Sequence, residues 1–204
     1  MLVEKAKTTP DAYPLSLAAI VTASNQKSNR APQMSMTEGE AITAMDQLRG
    51  VGAAREIQGS GRVTKYRHAM YEWMDIEGPE SAVMTELLLR GPQTVGELRT
   101  RAARMQAFDS LDAVKDVLTQ LHDKGLVESL TPPGRGQIFA HTFYQSDEQQ
   151  HVVARAEKLA AGDSKPAASA RSVNNDAIDK LLARLDGVTA RIDQLEARIA
   201  DLES

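Results

Sequence analysis

Residues 34–68 read MSMTEGEAITAMDQLRGVGAAREIQGSGRVTKYRH. The first half of this stretch predicts an amphipathic helix that begins at a capping box formed by Ser35 and Glu38. The apolar face of this helix consists of Ala41, Met45 and Leu48. Glycines then end the helix, and residues 58–62 predict the tip of a β-hairpin, because glycine adopts the positive φ that tight turns require. A helix followed by such a hairpin is typical of the second half of a winged helix-turn-helix.

The same unit occurs again 73 positions further along the chain. The offset aligns Met45 with Leu118, Leu48 with Leu121, Gly52 with Gly125, Ala54 with Val127, Ile57 with Leu130, Gly61 with Gly134, Arg62 with Arg135 and His68 with His141. Any helix–strand unit supplies the apolar pairs, whereas glycine–arginine pairs at both hairpin tips are harder to obtain by chance. We therefore predict a mainly α fold with small β-hairpin wings, built from two tandem winged helix-turn-helix domains.

The second copy carries its own start and stop signals. Its opening helix, residues 81–90, is predicted to stop at a Gly-Pro pair, and Thr94 with Glu97 forms a capping box for the next helix. The side chains expected to be buried on the opening helix are Val83, Met84, Leu87 and Leu88. Asp109 is the expected cap of the following helix, whose apolar face is Val114, Val117, Leu118 and Leu121. Trp73, between the copies, is expected to pack the two domains together.

The sequence divides into six parts. They are a loose tail at 1–12, winged-helix domains at 13–76 and 77–145, a short helix at 146–161, a polar linker at 162–175 and a coiled coil at 176–204. The short helix carries Val152, Val153, Ala156 and Leu159 on its apolar positions.

The composition excludes several classes of site. The chain has no cysteine, so it has neither disulfides nor thiolate metal sites. Its four histidines lack the paired spacing of metal ligands, and no nucleophile accompanies a recognisable base. We expect no enzymatic activity, no metal and no cofactor. The sequence contains no apolar run of the roughly 20 residues that a membrane span needs and no signal peptide, so we expect a cytoplasmic protein without membrane contact.

The positive charge is concentrated in the first copy. The whole chain has a formal charge of −4, but residues 13–71 contain seven basic and four acidic side chains. Any surface that binds phosphate must therefore lie in the first copy.

Two short stretches near the N-terminus are similar to a known family. Tyr13-Pro14-Leu15-Ser16-Leu17, followed by Asn25-Gln26-Lys27-Ser28-Asn29-Arg30, resembles the signature of the YceH family, uncharacterised bacterial proteins with tandem winged-helix domains. The similarity extends from residue 13 to about residue 144. It implies the fold, and it brings no established activity.

Candidate DNA contacts lie in two loops of the first copy. In the polar string 25–30, Lys27 and Arg30 can hold phosphates, while Asn25, Gln26, Ser28 and Asn29 can hydrogen-bond sugars or bases. The alternative is a helix end stabilised by its own amides and hydroxyls. In the first wing, Arg62 is expected at the tip, and strand alternation brings Lys65 and Arg67 to one face, so three cations could contact a DNA backbone or minor groove. A solvated hairpin edge protected by charge would look the same. Arg135 stands alone in the second wing, where a structural role is preferred.

The two helices that would read a DNA groove are acidic. Their carboxylates are Glu38, Glu40 and Asp46 in the first copy and Asp112, Asp116 and Asp123 in the second. Groove-reading helices normally present Arg, Lys, Asn or Gln. We therefore expect a DNA-binding protein, such as a transcriptional regulator, that contacts mainly the backbone. The alternative is an interaction scaffold that recruits protein partners without nucleic acid.

The C-terminal residues follow a heptad repeat. Spacings of three and four alternate through Ile178, Leu181, Leu185, Val188, Ile192, Leu195, Ile199 and Leu202. Arg191 and Arg198 at position g match Glu196 and Glu203 at position e of a parallel partner. We predict a homodimer through a parallel coiled coil, with a helix folded back on its own domains as the alternative.

Overall fold

The structure is a computed structural model that describes residues 1–58 and 63–160. Arg62, the predicted linker 162–175 and the predicted coiled coil 176–204, with all of its heptad positions, lie outside the described residues.

The described residues form a mixed α+β structure with eight α-helices and two small antiparallel sheets. The helices are α1 (Leu2–Thr8), α2 (Leu17–Ser24), α3 (Glu38–Gly50), α4 (Met70–Met74), α5 (Gly78–Arg90), α6 (Val95–Ala102), α7 (Leu111–Asp123) and α8 (Ser146–Ala160). The strands are β1 (Leu15–Ser16), β2 (Ala54–Ile57), β3 (Lys65–His68), β4 (Gln93–Thr94), β5 (Val127–Ser129) and β6 (Ile138–His141). A 3-10 turn at Pro10–Ala12 links α1 to β1.

Two halves of this structure repeat one another. Each follows the order helix, strand, helix, helix, strand, strand, and the sheet orders are β1-β3-β2 and β4-β6-β5. Ala54 lies opposite His68 in the first hairpin, and Val127 lies opposite His141 in the second. The hairpins therefore share one register, at the offset of 73 that the sequence predicted.

The predicted loose tail at 1–12 is wrong, because these residues contain α1. Leu2 and Val3 are buried against the apolar side chains of both halves, and Glu4 is only 1% exposed. Helix α1 corresponds to α5 in the order of elements, so the first half begins at α1 rather than at residue 13.

The helix starts differ from the sequence prediction at three places, and α5 begins at Gly78 instead of residue 81. Helix α3 is capped by Thr37, whose hydroxyl accepts from the Glu40 backbone N–H while the Glu40 carboxylate accepts from the Thr37 N–H, at 3.3 and 2.7 Å. The expected Ser35–Glu38 pair has the same spacing but lies two residues too early. Helix α7 is capped by Ser110 instead of Asp109. The Thr94–Glu97 capping box of α6 is present as predicted.

The larger hydrophobic core lies in the second half, between α5, α6 and α7. All four predicted side chains of α7 are buried, as are Val83, Met84 and Leu87 of α5. Two expected core residues are exposed instead, Leu88 at 42% and Leu48 at 37%, because they lie at the edges of their apolar faces. Helix α8 buries Val152 and Ala156, whereas Val153 is exposed.

The two halves belong to one compact unit. Trp73 contributes to their contact, as predicted, since its ring centroid lies 5.9 Å from that of Phe143. Of the helices in the described residues, none has the length and apolar character needed to cross a membrane.

Candidate nucleic-acid interface

Asn25, the first residue of the polar string, ends α2 and fixes the loop to α3. Its side-chain amide donates to the Met36 carbonyl at 2.7 Å, and its side-chain oxygen accepts from the Met36 N–H at 2.6 Å. Both functional ends of the amide are therefore used within the loop, in the manner of a local side-chain cap.

Arg30, which was expected to hold a phosphate, is buried. Its guanidinium forms an ion pair with Glu4 at 2.7 Å and donates to the carbonyls of Ala23 and Asn29, each at 2.7 Å. The DNA contact predicted for Arg30 is therefore wrong, because its side chain is only 3% exposed and both of its terminal guanidinium nitrogens donate to internal partners.

The rest of the string is divided between structural and exposed residues. Gln26 donates to the Ser28 carbonyl at 2.8 Å, and the Asn29 side chain accepts from Arg90 of α5. Lys27 and Ser28 are exposed. The string is thus mainly a loop that secures α2 to its neighbours, and Lys27 is its one exposed cation.

We expect the variant Asn25→Ala to lose about 2 kcal/mol of unfolding free energy, because it leaves the N–H and carbonyl of Met36 without their partner. Urea denaturation followed by circular dichroism measures this loss. The matched variant Lys27→Ala removes an exposed side chain and should change stability by less than about 0.5 kcal/mol. Equal losses in both variants would contradict the structural role of Asn25.

Arg30 is one end of a buried ionic cluster that joins the two halves. Arg104 places one guanidinium nitrogen 2.6 Å from Glu4 and another 2.6 Å from Glu86. Arg90 Nε lies 3.2 Å from Glu86 without the alignment of a hydrogen bond. Glu4 comes from α1 and Glu86 from α5, and both are essentially inaccessible to solvent. Two buried carboxylates are thus shared among three arginines.

The arginines keep Glu4 ionised. Burial alone would raise the pKa of its carboxyl, but hydrogen bonds from Arg30 and Arg104 outweigh burial and hold the pKa below the ordinary value. The cluster therefore contributes to stability at neutral pH. It also removes Arg30 from any surface for phosphate.

A different group of cations shares one face of the first sheet. Arg55 and Arg67 lie directly opposite each other on β2 and β3, and Lys65 lies opposite Ile57 on the same face. Arg55 and Lys65 are exposed, and Arg67 is partly buried, with an Nε that has no hydrogen-bond partner among the residues that the structure describes. Arg55 reaches Glu72 at 3.7 Å, a pair that is more than half exposed on both sides and therefore weak.

The two arginines of this group repel each other. Like charges directly opposite on neighbouring strands destabilise a sheet. Within residues 1–58 and 63–160, no carboxylate lies within 4 Å of the charged atoms of Lys65 or Arg67. A bound anion would relieve the repulsion. Arg55 was missed as a candidate, although strand alternation in residues 54–57 could have placed it beside Lys65 and Arg67.

The second sheet has no equivalent surface. The positions that correspond to Arg55, Lys65 and Arg67 hold Glu128, Ile138 and Ala140, and the last two are buried. Arg135 is exposed at the tip of the second hairpin, so its predicted place in the loop is correct. Of the two sheets in the described part of the chain, only the first brings basic side chains together on one face.

The two equivalent histidines are structural residues in both halves. Nδ1 of His68 accepts from the N–H of the residue two positions later, and Nδ1 of His141 does the same, at 3.4 and 3.2 Å. His68 packs edge-on against Tyr71, and His141 stacks on Tyr144. Burial lowers the pKa of both imidazoles, that of His141 to about 4. The described residues contain no group of three potential metal ligands.

Comparison with known proteins places the chain in a family. The family model described as Protein of unknown function, DUF480, matches residues 1–135. A UPF0502 protein of Rhodopirellula baltica is 57% identical over 188 residues, which cover 89% of this chain and 79% of the relative. A UPF0502 protein of Geotalea daltonii is 48% identical over 156 residues, 72% of each chain. A UPF0502 protein of Geobacter sulfurreducens is 48% identical over 144 residues, 69% of this chain and 66% of the relative.

The expectation of an uncharacterised bacterial family is confirmed, while the narrower name YceH remains a resemblance. The matched region begins at the first residue and includes α1, which the sequence analysis had assigned to a tail. The family model and the relatives agree, and the chain belongs to DUF480, the UPF0502 family of uncharacterised bacterial proteins.

Proposed function

We propose that this chain is a DNA-binding protein with two winged helix-turn-helix units. It contacts the phosphate backbone through the basic face of its first sheet. The basic face consists of Arg55, Lys65 and Arg67. The order helix, strand, helix, helix, strand, strand in each half supports the winged helix-turn-helix interpretation, with β2–β3 and β5–β6 as the wings. The heptad positions of residues 178–202 support a dimeric regulator.

The observation that carries the proposal is the cross-strand pair of Arg55 and Arg67 beside Lys65. The three cations lie close together, since they are on adjacent strands and neighbouring strands lie about 4.8 Å apart. Phosphate oxygens accept hydrogen bonds from guanidinium and ammonium groups, and they cancel the repulsion between the two arginines. The wing therefore gains a favourable interaction on DNA that the free protein lacks.

The exposed faces of α3 and α7 favour backbone contact over base recognition. Glu38 and Asp46 on α3, and Asp112, Asp116 and Asp123 on α7, are all exposed. Carboxylates in a DNA groove would lie near phosphates, which repel them. We infer that affinity depends on charge and carries little sequence information.

The salt dependence of binding tests this proposal. We expect the wild-type chain to bind a mixed-sequence duplex, with affinity falling steeply between about 50 and 200 mM salt. Replacing Arg55, Lys65 and Arg67 together by serine should reduce the slope of log affinity against log salt by about 0.9 for each lost contact, so by about 2.7. Fluorescence anisotropy of a labelled duplex measures both slopes.

A matched control distinguishes the effect of where the positive charges lie from the effect of the total charge. Replacing Lys27, Lys115 and Lys158 by serine removes the same number of positive charges from exposed positions outside the basic face. This variant should keep the wild-type slope. Absence of binding by the wild-type chain at low salt, or equal loss of slope in the two triple variants, would contradict the proposal.

Exposed apolar residues on α3 favour a second candidate, a protein-interaction scaffold. Of the 13 residues in α3, only Ala41 and Met45 are buried, while Ile42 and Leu48 are exposed. Exposed apolar side chains on a helix suit a protein partner better than a nucleic acid. A stoichiometric protein complex that excludes DNA and is lost on replacing Ile42 and Leu48 by aspartate would favour the scaffold.

A further inference from the structure

An apolar cavity of about 230 Å³ lies at the junction of the two halves. Its inner wall includes Ile20, Met45, Met70 and Met74, which come from α2, α3 and α4. Trp73 and Leu88 line its open side, and both are partly exposed. Since Leu88 belongs to α5, the second half completes a cavity whose other walls come from the first.

The lining determines the charge of a suitable ligand. None of the side chains that line the cavity is a carboxylate, a lysine or an arginine. His68 contributes an imidazole whose pKa is lowered by burial, and its Nδ1 already accepts from the Met70 N–H. An ionised molecule would lose its hydration without gaining a counter-ion from a lining side chain, whereas an uncharged molecule would lose little.

The volume of the cavity and the adaptable side chains that line it further restrict the class of ligand. An apolar cavity of about 150 Å³ is known to bind benzene, so 230 Å³ accommodates about nine heavy atoms. Methionine side chains adapt to irregular shapes, and their sulfur atoms make favourable contacts with aromatic rings. Cavities at the junction of two structural units are common ligand sites.

We propose that this cavity is a binding site for a small, uncharged aromatic molecule. Side chains from five helices line it, and its limited volume favours a small molecule over a protein segment, which needs a longer groove. The site is separate from the basic face of the first sheet. Its ligand binding does not require the chain to bind DNA.

The single tryptophan of the chain provides the measurement, because Trp73 lines the cavity. Propylbenzene, with about nine heavy atoms, is titrated into the full chain while Trp73 fluorescence is recorded. We expect a saturable change at one site per chain. The charged analogue 2-phenylethylammonium, which has the same number of heavy atoms, should bind at least about tenfold more weakly because of its desolvation.

Two alanine variants locate the site. Ala44→Met fills the cavity from α3 and should weaken propylbenzene binding at least about tenfold. Ala113→Met adds the same side chain to α7, away from the cavity, and should leave binding unchanged. Circular dichroism confirms that each variant is folded.

Three outcomes of the binding experiments would overturn the proposal. They are the absence of a saturable change with the wild-type chain, equal binding of the charged analogue, and wild-type affinity in a folded Ala44→Met variant. A fluorescence change that tracks self-association in sedimentation experiments would also overturn it, since a second copy would then occupy the open side. The comparison with the charged analogue still tests the proposed binding site if Ala44→Met does not fold.

Discussion

Replacing Arg104 by leucine is expected to lower the free energy of unfolding by about 3–5 kcal/mol. Among the described residues, Arg104 alone bonds both buried carboxylates, Glu4 and Glu86, at 2.6 Å each. Its removal leaves each of them with one fewer cation in a site that water does not reach. The cost of an under-compensated buried charge exceeds the modest gain from a new apolar contact. Urea denaturation at neutral pH measures the difference.

The control for this variant is Arg49→Leu. Arg49 also contacts two carboxylates, those of Asp46 and Glu56, at 3.1 and 3.0 Å. Its side chain is 41% exposed, so solvent screens both pairs. We expect Arg49→Leu to cost less than about 1 kcal/mol. Similar losses in the two variants would show that the cluster around Arg104 has no special role in joining the halves.

Acidification from pH 6.5 to pH 4 is expected to remove up to about 3 kcal/mol of stability through His141 alone. Burial lowers the folded-state pKa of His141 to about 4, below its ordinary value of 6.5. Protonation therefore occurs first in the unfolded state and favours it. The contribution is complete above pH 6.5 and is lost as pH falls towards 4. The free energy of unfolding, measured in urea at several pH values, follows this loss.

The variant His141→Phe should flatten this part of the pH profile, because it removes the titrating group while keeping a ring on Tyr144. The matched control is His122→Phe, which removes an imidazole that is 63% exposed. The pKa of Glu4 is lowered in the folded state, so the stability that depends on its charge is lost at lower pH, below about 4.5. An unchanged profile in His141→Phe would contradict the assignment.

The repeat and most of the helices could be predicted from the sequence because their signals are local. The offset of 73 gave the hairpin registers, and the Thr94–Glu97 pair gave the start of α6. The buried face of α7 followed from the helical period alone. Leu48 and Leu88 were misplaced because periodicity defines the centre of an apolar face better than its edges.

Helix α1 could not be predicted, because its position depends on distant partners. It has seven residues and only two buried apolar side chains, which is too little for a periodic signal. Its Glu4 is paired with Arg30 and Arg104, which lie 26 and 100 positions away. Local sequence reasoning shows neither contact. A polar, charged stretch of sequence has the same composition whether its partners lie inside the protein or outside it. For this reason Arg30 was predicted to bind phosphate, although its partners are internal.

The candidate site was predicted in part. Lys65 and Arg67 were correctly assigned to one face of a strand, and Arg55 completes that face from β2. The polar string does not join them, since Arg30 is buried and Asn25 bonds to Met36. The proposed contact surface is therefore the sheet of the first half instead of two converging loops.

Protection of individual lysines by bound DNA tests the proposed contact surface most directly. The chain is acetylated at low salt with and without a mixed-sequence duplex, and the rate at each lysine is measured by mass spectrometry. We expect DNA to slow the modification of Lys65, to leave Lys27 and Lys115 unchanged, and to have no effect at high salt. Protection of Lys27 without Lys65, or of neither, would contradict DNA binding through the first sheet.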